Sequence, residues 1–279
     1  MAGNTVRDVL NQAAERLAHV ASGRRDAELL LLRVLGRDRA WLLTHADAPI
    51  THDQRTQFDA WVGQRARHEP VQYILGEQEF YGLAMRVTPE VLIPRPETEH
   101  LVEATLARVP RERAVEIADV GTGSGAIAVA LAHALPLARV TALDLSPAAL
   151  NVARDNAVRH GVADRVLLVE SDLLSAVRRQ QFFAIVANPP YVAENEALQP
   201  QVRDYEPHAA LFAGPTGLEV YRRLIPQASD ALAPGGWLLM EIGHGQRDAL
   251  AELLTGWDAV SFAADLQGIP RVAIAQCGD

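Results

Sequence analysis

From about residue 115 onward, short β-prone runs alternate with helical ones, and this alternation restricts the fold more than any other feature of the chain. Strand-like runs fall at about 115–120, 139–144, 165–170, 182–187, 236–242 and 270–276, and helical patterns at about 124–135, 147–160 and 217–232. Strands separated by helices are joined by crossovers, which predicts a doubly wound α/β domain whose parallel-type sheet is covered on both faces. Such sheets hold their ligands beyond the carboxyl ends of the strands. The segments that follow each strand are therefore where chemistry is expected.

Before this region the periodicity is helical. Val6, Leu10, Ala13, Leu17 and Val20 recur at three- and four-residue steps, and further helices are expected over 26–35, 38–43 and 51–68. Gly36 suits a helix C-cap and Thr51 an N-cap, with Phe58, Trp61 and Val62 turned inward. A small helical bundle over 1–69 follows, with Trp41 and Trp61 as packing residues. Arg24, Arg25, Arg37 and Arg39 are either solvated surface or contacts for a partner. Residues 70–97 read as β-hairpins and extended chain broken by glycine and proline, a stiff connector to a domain over 98–279.

Composition narrows the classes. With 49% hydrophobic and 22% charged residues the 279-residue chain has ordinary globular values. A net charge of −9 argues against a broad grip on nucleic-acid backbones, which requires a basic face. No run approaches the ~18 apolar residues of a membrane span. The amino-terminal stretch, with Asp8 and Glu15, resembles neither a secretory signal nor a transit peptide, so a cytoplasmic protein is expected. The single cysteine, Cys277, and nine scattered histidines offer no metal-ligand spacing, and no metal is expected.

The first strand runs into Gly121-Thr122-Gly123-Ser124-Gly125 and then a helix. Glycines there let the backbone turn tightly and approach a ligand, while the helix start presents free N–H groups. The spacing is GxGxG, which matches neither the dinucleotide fingerprint nor a P-loop. Asp144 ends the second strand 23 positions beyond Gly121, where a ribose-binding carboxylate belongs, unless it caps the next helix. Asp172 is either a contact for an adenine amino group or a surface cap, and Leu173 can pack on the ring.

The apolar run 182–187 is stopped by Asn188-Pro189-Pro190-Tyr191, because each proline lacks an N–H and fixes φ. This is either an ordinary turn or a clamp. As a clamp, Asn188 offers a side-chain carbonyl, Pro189 a backbone carbonyl and Tyr191 an aromatic face, together suited to a planar NH2 group. Arg95 and Glu97, which bracket Pro96, are further candidates to line the site.

The glycine loop, Asp144 and Asn188-Pro189-Pro190-Tyr191 together resemble class I S-adenosylmethionine methyltransferases that modify NH2 groups. Pro94-Arg95-Pro96-Glu97-Thr98-Glu99, the stretch Glu206-Pro207-His208-Ala209-Ala210-Leu211-Phe212-Ala213-Gly214 and the helical amino-terminal segment narrow the resemblance to the HemK/PrmC family. That family methylates N5 of the glutamine in the Gly-Gly-Gln loop of peptide chain release factors. The resemblance spans about residues 5–276. It implies a class I, Rossmann-like domain and a helical substrate-recognition domain, with S-adenosylmethionine as cofactor and S-adenosylhomocysteine as product.

It further implies cofactor contacts from Gly121, Thr122, Gly123, Ser124, Gly125, Asp144, Asp172, Leu173 and Asn188. Substrate contacts would come from Asn188, Pro189, Pro190 and Tyr191, with Asn188, Pro189 and Tyr191 catalytic. Leu173 departs from relatives that carry a tryptophan, and Ala184 from those with an acid before the clamp. The competing readings are a nucleic-acid amino-methyltransferase acting on adenine N6 or guanine N2, and a non-catalytic cofactor-binding adaptor. The expected partner is a release factor, with neither a membrane nor a direct nucleic-acid substrate.

Overall fold

The computed structural model describes residues 4–278; residues 1–3 and 279, at the outer limits of the expected domains, lie outside the described residues. The described residues fall into two compact units, one within Met1–Gly76 and Leu198–Tyr205, the other within Glu77–Ala197 and Glu206–Asp279.

The first unit is helical. Thr5 and Thr51 each close a capping box, with Asp8 and Gln54, so α1 (Val6–Arg16) and α4 (His52–Ala66) begin with their first N–H groups satisfied. Between them α2 (Gly23–Leu35) ends at Gly36 with φ 62°, and α3 (Arg39–Thr44) starts from Asp38, whose carboxylate accepts from Trp41 N. Val6, Val9, Leu10, Leu30, Leu31, Phe58 and Val62 form the buried seam. One charged pair is buried with them: Arg65 Nε donates to Asp26 Oδ2 at 2.7 Å.

Residues 71–75, expected as extended chain, form a short helix instead, α5 (Val71–Leu75). Pro70 at its start and Gly76 at its end, with φ 71°, fix one turn regardless of the β-prone residues between. Strands β1 (Glu77–Phe80) and β2 (Leu83–Arg86) then make the expected hairpin, with Tyr81 and Gly82 at φ 51° and 75°, as a type I′ turn demands.

In the second unit a 3-10 turn, Pro96–Thr98, leads into α6 (Glu99–Leu106). There follow β3 (Glu116–Val120), α7 (Ala126–Ala134), β4 (Arg139–Asp144), α8 (Pro147–Arg159), β5 (Val166–Glu170) and β6 (Phe182–Ala187). Short strands β7 (Val192–Ala193) and β8 (Phe212–Gly214) pair with each other. Between these strands in sequence lie the helical turns α9 (Pro200–Arg203), which belongs to the first unit, and α10 (His208–Leu211). The chain closes with α11 (Glu219–Ala231), β9 (Leu232–Glu241), α12 (Arg247–Leu253), β10 (Asp258–Ala264) and β11 (Pro270–Gln276).

The main sheet has the order β10-β11-β9-β6-β3-β4-β5. It is parallel from β5 to β9, while β11 runs antiparallel to β9 and β10 antiparallel to β11. Strand residues alternate between its two covered faces. Ile117, Val140, Ala184, Val186 and Leu239 enter the core shared with α6 and α7, whereas Ala118, Leu143, Ile185, Ala187 and Met240 pack toward α11 and α12.

Register sets the site. Val120 pairs with Leu143 on one side and Ala187 on the other, and Ala187 pairs with Met240. One residue further on, Asp144, Gly121, Asn188 and Glu241 therefore stand in a row along the carboxyl edge of the sheet.

Candidate active site

The loop after β3 is shaped from below. Gly121 N and Thr122 N both donate to Leu143 O, at 2.8 and 2.9 Å, which turns the chain out of the strand. Gly121, Gly123 and Gly125 all have positive φ, at 74°, 53° and 79°. Gly125 also packs so tightly that a Cβ would stand 3.0 Å from Ala153 Cβ.

Asp119 anchors the loop from inside, accepting from Thr122 Oγ1 at 2.6 Å and Ala128 N at 3.1 Å. Burial pushes its carboxyl up to about 7, against the lowering effect of those two hydrogen bonds, and neighbouring Asp144 adds to the rise. Its Oδ1 has no partner among the described residues. The Thr122 hydroxyl is thus directed into the protein. Ser124 is buried, and its carbonyl accepts from Asn156 Nδ2 at 2.8 Å.

Asp144 accepts from Gly123 N at 2.8 Å through one oxygen and from Ser146 N at 2.9 Å through the other. The cap of α8 is Ser146, whose Oγ accepts from Ala149 N. A carboxylate has about four lone-pair sites, so two remain for a ligand. A loop of positive-φ glycines, open to close backbone approach and joined to a carboxylate at the next strand end, fits the ribose and main-chain portions of a nucleoside cofactor. Asp172 is exposed and ion-paired with Arg223, while Leu173 is half-buried at φ 51° and packs on the core toward α11.

At the centre of the row, Asn188 Nδ2 donates to Thr98 Oγ1 at 3.1 Å. That contact leaves Asn188 Oδ1 and the Pro189 carbonyl without a donor among the described residues. The Tyr191 hydroxyl donates to Glu241 Oε1 at 3.2 Å. Burial, chiefly, and the adjacent Glu241 push the Tyr191 hydroxyl well above its ordinary pKa, so it acts as a donor. Its carbonyl and Gly243 N are tied together by Gln246.

Sequence reading missed Thr98, Tyr221, Glu206 and Glu241 as individual positions. Glu206 is buried and accepts from Ile93 N and from Arg95, so the two stretches that carried the family resemblance meet here. Tyr221, fully buried, donates to Glu241 O at 2.7 Å. Glu241 ends the apolar run Trp237-Leu238-Leu239-Met240, and an acid closing such a strand was the one available signal. A separate cleft of about 500 Å3, lined by Glu116, Arg139 and Gln181 among others, opens at the amino edge of the sheet, away from this row.

The fold and this edge define a class I S-adenosylmethionine methyltransferase domain accompanied by a helical unit. Residues 8–76 match the PrmC N-terminal domain and residues 98–204 the methyltransferase small domain. The chain is 47% identical to the release factor glutamine methyltransferase of Koribacter versatilis, over 98% of each chain. It is 45% identical to that of Geobacter sulfurreducens, over 98% of this chain and 97% of the other. The chain belongs to the release factor glutamine methyltransferase family.

Among solved structures, the hMettl16 catalytic domain in complex with an RNA hairpin is similar at TM-score 0.59 and 18% identity, over 78% of this chain and 82% of that one. The 16S rRNA N2 G1207 methyltransferase of T. thermophilus, in complex with AdoMet and guanosine, gives 0.55 and 19%, over 72% and 49%. At such identities the likeness concerns the fold alone.

Proposed function

We propose that this protein transfers the methyl group of S-adenosylmethionine to the side-chain N5 of the glutamine in the Gly-Gly-Gln motif of peptide chain release factors, in the cytoplasm. The observation that carries the reading is the pair of unengaged acceptors, Asn188 Oδ1 and the Pro189 carbonyl, at the strand end beside the glycine loop.

A glutamine amide is a poor nucleophile because its nitrogen lone pair is delocalised into the carbonyl. Asn188 Oδ1 and Pro189 O each accept one of its N–H groups, which increases electron density on nitrogen and fixes its direction of approach. Tyr191 packs on the amide plane. Asp144 holds the ribose and the loop from Gly121 to Gly125 holds the rest of the cofactor, with Asp172 and Leu173 on the adenine side. S-adenosylmethionine, when bound, supplies a methyl already activated by positively charged sulfur and leaves as S-adenosylhomocysteine. Alignment by Asn188 and Pro189 contributes several of the ~7 to 11 kcal/mol that proximity can provide. The amide nitrogen releases one proton to solvent. The helical unit takes the role of holding the release factor, in line with the family to which it belongs.

Replacing Asn188 with Ala tests the assignment. Methyl transfer to purified release factor should be abolished while calorimetry still detects cofactor binding. Normal turnover by Asn188→Ala would remove this residue from the mechanism.

A further inference from the structure

A hydroxyl can donate or accept, so Thr98 alone does not decide which end of the Asn188 carboxamide faces it. The decision passes to whatever takes the Thr98 proton. Glu241 Oε2 is buried and unpartnered among the described residues, and Thr98, itself buried, interacts with this carboxyl and lowers its pKa. Oε1 already accepts from Tyr191, and the backbone of Glu241 is pinned by the Tyr221 hydroxyl. Glu241 therefore stands behind both clamp residues, Tyr191 directly and Asn188 through Thr98.

We propose that Glu241 and Thr98 are positioning residues that set the polarity of the Asn188 carboxamide, an inference that rests on the clamp role given to Asn188 above. With Glu241 ionised, Oε1 accepts from Tyr191, and the unpartnered Oε2 is the acceptor toward which Thr98 turns its proton. Thr98 then offers only a lone pair, Asn188 must present Nδ2 to it, and Oδ1 faces the substrate as an acceptor. With Glu241 protonated, its own O–H can donate to Thr98, freeing the Thr98 proton for Asn188 Oδ1. The carboxamide can then turn over, and its NH2 opposes the substrate NH2.

The groups that face Glu241 bear on where this reversal occurs. Burial raises its carboxyl to about 7, Thr98 and the hydrogen bond from Tyr191 lower it, Glu97 raises it and Arg271 lowers it. Tyr221 stays protonated, pushed well up by burial. The polarity is thus expected to change within the ordinary working range of pH.

The test uses the full-length protein with release factor and S-adenosylmethionine. Thr98→Val keeps the shape and removes the hydroxyl; kcat should fall about tenfold or more with the cofactor KM within about twofold, and Thr98→Ser should recover most of the loss. Wild-type kcat should rise with pH through about 7, and Glu241→Gln, neutral throughout, should lose that limb. The Asn188 side-chain NH2 resonances, read by NMR in the 15N-labelled protein, should titrate with the same midpoint and cease to do so in Glu241→Gln. Wild-type turnover by Thr98→Val, equal losses in Thr98→Val and Thr98→Ser, or an acid limb that persists in Glu241→Gln would each overturn the proposal. If the wild-type protein fails to methylate release factor, the functional reading falls, and the NH2 titration still decides the polarity on its own.

Discussion

Removing the carboxylate of Asp26 should destabilise the helical unit far more than an ordinary surface change. Arg65 and Asp26 lie 2.7 Å apart with side chains only 3% and 6% exposed, so neither charge has water in place of the other. Asp26→Ala leaves the guanidinium with two neutral acceptors, Glu69 O at 3.2 Å and Gln201 Oε1 at 2.8 Å, and strips Ser22 Oγ of its acceptor. Breaking one side of a buried pair costs about 3–5 kcal/mol, and the two surviving hydrogen bonds place this case near ~3. Urea unfolding followed by the fluorescence of Trp41 and Trp61 would measure it. The double replacement Asp26→Leu with Arg65→Met should return most of the loss, because no charge is then buried unpaired. A single variant within ~1 kcal/mol of wild type, or a double variant no better than the single, would refute the reasoning.

Three further outcomes follow from the glycine loop and its carboxylates. Gly125→Ala combines φ 79° with a Cβ 3.0 Å from Ala153 Cβ, so it should cost about 2 kcal/mol or more, and an unchanged denaturation midpoint would contradict the packing. Asp144→Ala removes the acceptor for Gly123 N as well as the proposed ribose ligand; the cofactor dissociation constant should rise about tenfold or more, and calorimetry showing no change would exclude the assignment. Asp119 has its carboxyl raised from 3.8 to about 7, so the folded state holds its proton more tightly. That contribution is fully present below 3.8 and lost as pH rises through about 7, a span worth ~4 kcal/mol. Asp119→Asn should flatten this fall in urea titrations, and an equal slope in both proteins would be inconsistent with a buried, raised carboxyl.

The parallel half of the sheet is legible in sequence because its strands are buried on both faces and separated by helices, as with Glu116–Val120 and Arg139–Asp144 on either side of Ala126–Ala134. Strand Asp258–Ala264 is not. It lies at the sheet edge with Asp258, Ala259, Val260 and Ser261 exposed, so neither burial nor alternation marks it. Val71–Leu75 misleads for the opposite reason, since its β-prone residues are overruled by the caps on either side. Asn188 and Asp144 announce themselves by ending strands. Thr98 carries no such mark, and Glu241, though it too closes a strand, does not reveal its partner, because they reach Asn188 and Tyr191 from segments 90 and 50 positions distant in the chain.

Mass spectrometry gives the most direct test of the proposed reaction. Purified release factor, incubated with this protein and isotope-labelled S-adenosylmethionine, is digested and its peptides are sequenced. The expected result is a single labelled methyl group on the glutamine side chain of the Gly-Gly-Gln motif. Label on another residue, or on added RNA or DNA with none on that glutamine, would contradict it.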